Sequence, residues 1–149
     1  MENMDSQTQS QIWQRVFAPM QQPSREDLLP LLTQAVETMG AGRLLAGVLP
    51  ASVRQLANRL YESLRENALC MRGICRLSGR TEGKFCTMPR EKEPAKRLLE
   101  KCYHRCRRAM MEYTARSADP EFGAVYQKMA QREAEHCCLI AQILGNLES

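Results

Sequence analysis

The feature that most constrains this chain is the stretch from Asp119 to Leu147, where a clear helical pattern carries ionisable residues at positions a core would claim. Asp119 followed by Pro120 is a strong helix start. The carboxylate can accept from the first free backbone N–H groups, and proline at the first helical position gives up an N–H that has no partner there. From that start, Tyr126, Met129, Glu133, His136, Ile140, Ile143 and Leu147 recur at the three-and-four spacing of a buried seam. Glu133 and His136 are three residues apart, so a carboxylate and an imidazole project from one helix face into whatever that face packs against. A buried pair of this kind needs hydrogen-bond partners or a cation.

Three further helical patterns precede this one. The first is expected to begin at a capping Asp27, with Pro30 still in the first turn. It runs along Leu28, Leu32, Ala35, Val36, Met39 and Ala46 and ends between Gly47 and Pro50. The second follows directly after Pro50 and Ala51, with a seam through Val53, Leu56, Leu60, Ser63, Asn67, Cys70, Ile74 and Leu77, and stops at Gly79. Polar and helix-breaking residues from Gly79 to Glu93, including Arg80, Gly83 and Pro89, make the longest connection. The third helix opens at Pro94 and places Leu99, Cys102, Cys106, Ala109 and Tyr113 on its seam. Connections that run short, long, short predict an all-α antiparallel four-helix bundle made of two helix hairpins. An aromatic content of 5% agrees with helix rather than sheet.

A chain of 149 residues is expected to be one domain, with residues 24–149 forming the bundle. Residues 1–23 read as a flexible tail whose Trp13 and Phe17, one turn apart, form a short amphipathic piece. The formal charge of +4 is spread along the chain, which speaks against a nucleic-acid partner, and His104 and the arginines between Arg105 and Arg116 read as a solvated face. No membrane partner is implied, because no run of about 18 apolar residues exists. A homodimer or a protein partner stays open. Without an apolar leader the expected setting is cytoplasmic. The seven cysteines, an odd number set mostly in helical patterns, then read as buried thiols, ligands or redox groups rather than a disulfide framework. Cys86, in the long connection, is the best candidate for an exposed reactive thiol.

The second half, from Leu98 to Leu147, holds Tyr103, Ala109, Tyr113, Asp119, Pro120, Tyr126, Met129, Ala130, Glu133 and His136 in register. In this it resembles the ferritin-like superfamily, specifically small bacterial rubrerythrin-like proteins. The first half adds Leu45 with Ala46, and the run from Ile74 to Gly79. The resemblance implies a bundle that binds two iron or manganese ions, with one Glu from each of two helices and a Glu-x-x-His pair from each of the others. Carried across, the fourth-helix pair falls on Glu133 and His136 and the first-helix glutamate on Glu37. The second-helix pair falls on Ser63 and Glu66, where Ser stands for the glutamate and Glu for the histidine; the third-helix glutamate falls on Cys106. These departures argue against a standard di-iron enzyme with ferroxidase or peroxidase turnover.

Three functions follow. In the first, a modified site of Glu133, His136, Glu66, Glu37 and Cys106 holds one iron, manganese or zinc ion in preference to two; an active form would be a metal-dependent oxidoreductase. A mixed thiolate, imidazole and carboxylate shell suits zinc or a single iron better than paired iron. In the second, Glu133 and His136 are satisfied by Asn67, Ser63, Tyr103 or Tyr113, no metal binds, and the bundle is a structural or protein-interaction module. In the third, Cys70, Cys102, Cys106, Cys137 and Cys138 make a cysteine-lined soft-metal store or a thiol redox protein, although no C-x-x-C motif is present.

Overall fold

The computed structural model of the protein describes residues 24–79 and 93–148. All regular structure among the described residues is helical, in four long elements. They are α1 (Ser24–Val48), α2 (Arg54–Leu77), α3 (Ala95–Ala115) and α4 (Gly123–Glu148). The segment with Trp13 and Phe17, and Cys86 in the long connection, lie outside the described residues.

Helix α1 starts at Ser24, earlier than the sequence reading placed it, so Pro30 lies inside the helix rather than in its first turn. The proline is tolerated because it is exposed, and the carbonyl that loses its i to i−4 partner can turn to water. The buried face of α1 also differs from the expected one. Leu28 and Leu32 are buried as expected, but the face otherwise follows a rhythm through Leu31, Thr38, Ala41, Gly42, Leu45 and Leu49, leaving Ala35, Val36, Met39 and Ala46 half-buried on its flank. Thr38 and Gly42 are not apolar, so they hide this rhythm from a hydrophobicity count. Gly42 is there for contact: a Cβ built on it would lie 2.7 Å from Leu64 Cδ1 on α2. That approach brings α1 and α2 together along their length.

Pro50 leads into a 3-10 turn, Ala51–Val53, closed by Val53 N–H donating to the Pro50 carbonyl at 3.1 Å. Val53 in that turn and Leu60, Asn67 and Ile74 on α2 are buried as expected. The positions interleaved with them are corrected: Ala57, Leu64 and Met71 are buried, whereas Leu56, Ser63 and Cys70 are half-buried and Leu77 is exposed. The helix stops at Gly79, whose φ of 81° is the left-handed cap that glycine adopts without strain.

The second pair of helices keeps the expected seam. Leu99, Cys102, Cys106, Ala109 and Tyr113 are all buried on α3, and Tyr126, Met129, Glu133, His136, Ile140 and Ile143 are all buried on α4, with Leu147 half-buried. Asp119 caps as anticipated, its Oδ1 accepting from the Glu121 and Phe122 backbone N–H groups at 2.8 Å each. Regular helix begins at Gly123, after one turn through residues 120–122. Gly123 has no room for a side chain, since a Cβ would meet the Ser117 carbonyl oxygen at 2.4 Å.

Helix α1 packs on α2 and α3, and α4 packs on α3 and α2, so the four surround one interior. That interior holds two apolar clusters, one around Leu45, Leu60, Leu99 and Ile140, the other around Leu32, Met71, Tyr113 and Met129. Each fully buried Leu, Ile or Met contributes roughly 1.5–3 kcal/mol of burial. Along the helices, the buried polar residues Thr38, Asn67, Glu133 and His136 fall between the two clusters. No described helix is long and apolar enough to cross a membrane.

Candidate metal centre

His136 is completely buried and engaged at both ring nitrogens. Nδ1 lies 2.9 Å from Glu133 Oε1, and Nε2 lies 2.7 Å from the Ser63 hydroxyl of α2. The first contact follows from the three-residue spacing on α4, the second from the packing of α2 on α4. An ionised carboxylate only accepts, so at 2.9 Å a proton or another cation must lie between Glu133 and Nδ1. In the neutral ring with its proton on Nδ1, Nδ1–H donates to Glu133 and Nε2 accepts from Ser63.

The second carboxylate oxygen is held as firmly. Asn67 Nδ2 donates to Glu133 Oε2 at 2.7 Å and to the Met129 carbonyl at 3.0 Å. Asn67 Oδ1 accepts in turn from Arg132 Nη1 at 3.2 Å. The guanidinium then reaches the surface, where its Nε pairs with Glu66 Oε2 at 3.1 Å. The network therefore runs from a fully desolvated imidazole to a solvated ion pair.

Cys106 approaches from α3. Its sulfur, a Glu133 oxygen and a His136 ring nitrogen lie within 4.8 Å of one another and all three residues are buried, a group that could hold a metal ion. Contact with the Cys102 thiol, then burial, then the Glu133 carboxylate keep Cys106 well above the ordinary thiol range, so it carries its proton when no cation is near. Burial, followed by the same carboxylate, pushes Tyr113 upward as well. Beside Cys106 and Glu133, a cavity of about 10 Å³ lined also by Thr38, Asn67, Ala109 and Tyr113 has the space of one water.

Two residues of the sequence-derived ligand set are placed elsewhere. Glu37 is exposed, because Thr38 takes the inward position of that turn and donates to the Gln34 carbonyl at 2.7 Å. Glu66 is exposed on the Arg132 side of α2, because Asn67 turns inward next to it. Of the hydrogen-bond partners foreseen for a metal-free core, Ser63 and Asn67 meet the pair directly. Tyr113 lines the cavity and Tyr103 packs at the edge of an apolar cluster. Sequence reasoning missed Arg132 and Thr38; Arg132 adjoins Glu133 on the flank of the seam, where a long side chain can fold back over the core edge.

The donor set tests the metal centre that the ferritin-like resemblance implies. With Glu37 and Glu66 turned outward and a thiol where a carboxylate is required, these residues do not fit a dinuclear iron or manganese site. A single cation between a thiolate, an imidazole and a carboxylate does fit. None of the six described cysteines, Cys70, Cys75, Cys102, Cys106, Cys137 and Cys138, is in a disulfide. No family model matches this chain, and no significant similarity links it to a curated protein or a solved structure.

Proposed function

We propose that the chain is a ferritin-like antiparallel four-helix bundle that binds one transition-metal ion through Cys106, Glu133 and His136. One observation carries this reading: three different ligand types from two helices converge within 4.8 Å in a site closed to solvent. The antiparallel arrangement is supported by the order in which helices meet the clusters. Helices α1 and α4 pass from the Tyr113 cluster to the Leu60 cluster, and α2 and α3 pass the other way. Free thiols in the core fit a cytoplasmic, reducing setting.

The chain's own groups prepare the site. Asn67 fixes one carboxylate oxygen and leaves the other toward the imidazole. Ser63 can accept as well as donate, so it keeps Nε2 satisfied when Nδ1 gives up its proton. Cys106 releases its proton to water as it ligates, whereas the ring proton moves from Nδ1 to Nε2, which leaves the imidazole neutral and Nδ1 open to the ion. A bound ion would supply Lewis acidity or, if it cycles between oxidation states, electron transfer, and the cavity beside Cys106 leaves room for one exogenous ligand.

A second reading, a metal-free structural or interaction bundle, is favoured by one specific observation: Ser63 and Asn67 already satisfy both ring nitrogens and both carboxylate oxygens together with the Glu133–His136 contact. Metal analysis of protein purified in reductant without chelator separates the two. We expect one iron, zinc or manganese per chain, lost in Glu133→Ala. Metal-free protein whose melting temperature does not respond to added zinc, iron or manganese overturns the metal reading, because a ligand that binds only the native state must stabilise it.

A further inference from the structure

Tyr113 is fully buried, and its hydroxyl has no hydrogen-bond partner among the described residues. Buried polar groups are paired almost without exception, so an orphaned phenol points to a molecule that completes it. The residue sits two turns after Cys106 on the inward face of α3, and an aromatic side chain on a helix leans back toward the N-terminus, here toward Cys106. Its ring is fixed against Tyr126 of α4, with centroids 6.1 Å apart and planes 28° apart. The one-water cavity is walled by Tyr113 together with two of the three ligands, Cys106 and Glu133, but not by His136. Burial first, then the charge of Glu133, holds this phenol above its ordinary range, in keeping with a hydroxyl that faces the carboxylate. Other donors around the cavity are committed elsewhere. Thr38 donates to the Gln34 carbonyl, Gln34 Nε2 to the Arg105 carbonyl at 3.2 Å, and Asn67 Nδ2 to Glu133 and to the Met129 carbonyl.

We propose that this cavity is a subsite for one small exogenous ligand of the ion, a water or an anion of one or two heavy atoms, and that the Tyr113 hydroxyl is the group that holds it. This rests on the metal reading above and deepens it, from a site that stores an ion to one that presents it. Three protein ligands leave one position of a tetrahedral ion open, as in reactive rather than structural centres. A ligand in the cavity lies against Cys106 and Glu133, and so beside any ion they hold. A phenol donates to an anion and either donates to or accepts from water, so Tyr113 serves both. Size is set by the walls: with space for one water between Ala35, Leu64 and Ala109, ligands of three or more heavy atoms are excluded.

Cyanide, an anion of two heavy atoms, tests the idea on the full reduced chain loaded with cobalt(II), whose visible absorption changes with its ligands. The wild-type spectrum should shift with one cyanide per cobalt and recover when the anion is removed, whereas azide, with three heavy atoms, should leave it unchanged. Tyr113→Phe keeps the ring on Tyr126 and should still bind one cobalt, but its cyanide affinity should fall about tenfold, the worth of one hydrogen bond to a charged group. Ala35→Leu fills the cavity from α1 with the hydroxyl left in place; it should abolish the cyanide response, and it carries the test if Tyr113→Phe does not fold. Equal cyanide affinity in folded Tyr113→Phe and wild type overturns the role of Tyr113. An unchanged response in Ala35→Leu, or an azide response equal to that of cyanide, puts the ligand outside the cavity and overturns the subsite. Cobalt-loaded wild type that ignores cyanide also overturns it and leaves the three-residue site standing as a closed centre, whereas failure of wild type to bind cobalt or zinc at all sinks the metal reading together with this one.

Discussion

The two helix pairs meet at the same layer with opposite chemistry. Helices α3 and α4 bring a thiol, a carboxylate and an imidazole to it; α1 and α2 bring hydroxyls and amides from Thr38, Ser63 and Asn67. One pair supplies groups that change charge when a proton or metal binds. The other supplies neutral groups that can hold either state, since a hydroxyl donates or accepts and an amide does both at once. The difference shows that placing charge in a helical interior takes two contributions, and that the neutral partners are as necessary as the ionisable ones.

The comparison can be broken first against the apolar layer. Leu60→Ala should destabilise the fold by about 3 kcal/mol, because the transfer energy and the cavity left behind add. Chemical denaturation measures this, and the folded fraction should keep its metal content; loss of metal from folded protein would mean that the polar layer is not independent of the Leu60 cluster. Asn67→Leu should come next, at about 2 kcal/mol, because it leaves a buried carboxylate short of a donor while filling the space. Little change in denaturation midpoint would show that Glu133 does not depend on α2. The smallest effect is expected at the two outward carboxylates. Glu37→Gln and Glu66→Gln should each lie within about 0.5 kcal/mol of wild type and leave metal stoichiometry unchanged. A change in bound metal in either variant would return that residue to the ligand set.

Legibility in the sequence divides along the same line. On α3 and α4 almost every seam position is apolar, cysteine or aromatic, so spacing alone located the buried face and put Glu133 and His136 on it. On α1 the inward Thr38 and Gly42 broke the hydrophobic count, and the reading slid onto Val36, Met39 and Ala46. Glu37 came from the resemblance and not from that count, and the molecule turns Thr38 inward in its place. On α2 the mistake alternated, right at Leu60 and Asn67 and wrong at Leu56 and Leu77, because both faces of that helix carry leucines. Glu66 was misassigned for a related reason: a resemblance fixes a position along the helix but not the fine rotation that decides between adjacent residues.

The sequence by itself determined four helices, the Asp119 cap, the Gly79 stop and an inward Glu133 and His136, because these depend on local hydrogen bonds and on periodicity within one segment. Only the tertiary structure decided which groups face that pair. A helix can turn about its axis by a fraction of one residue, and the sequence of one helix does not record where its neighbours come to rest. Close approach at Gly42 and the packing of α2 on α4 set that rotation, and with it Ser63, Asn67 and Cys106 became the partners while Glu37 and Glu66 went to water.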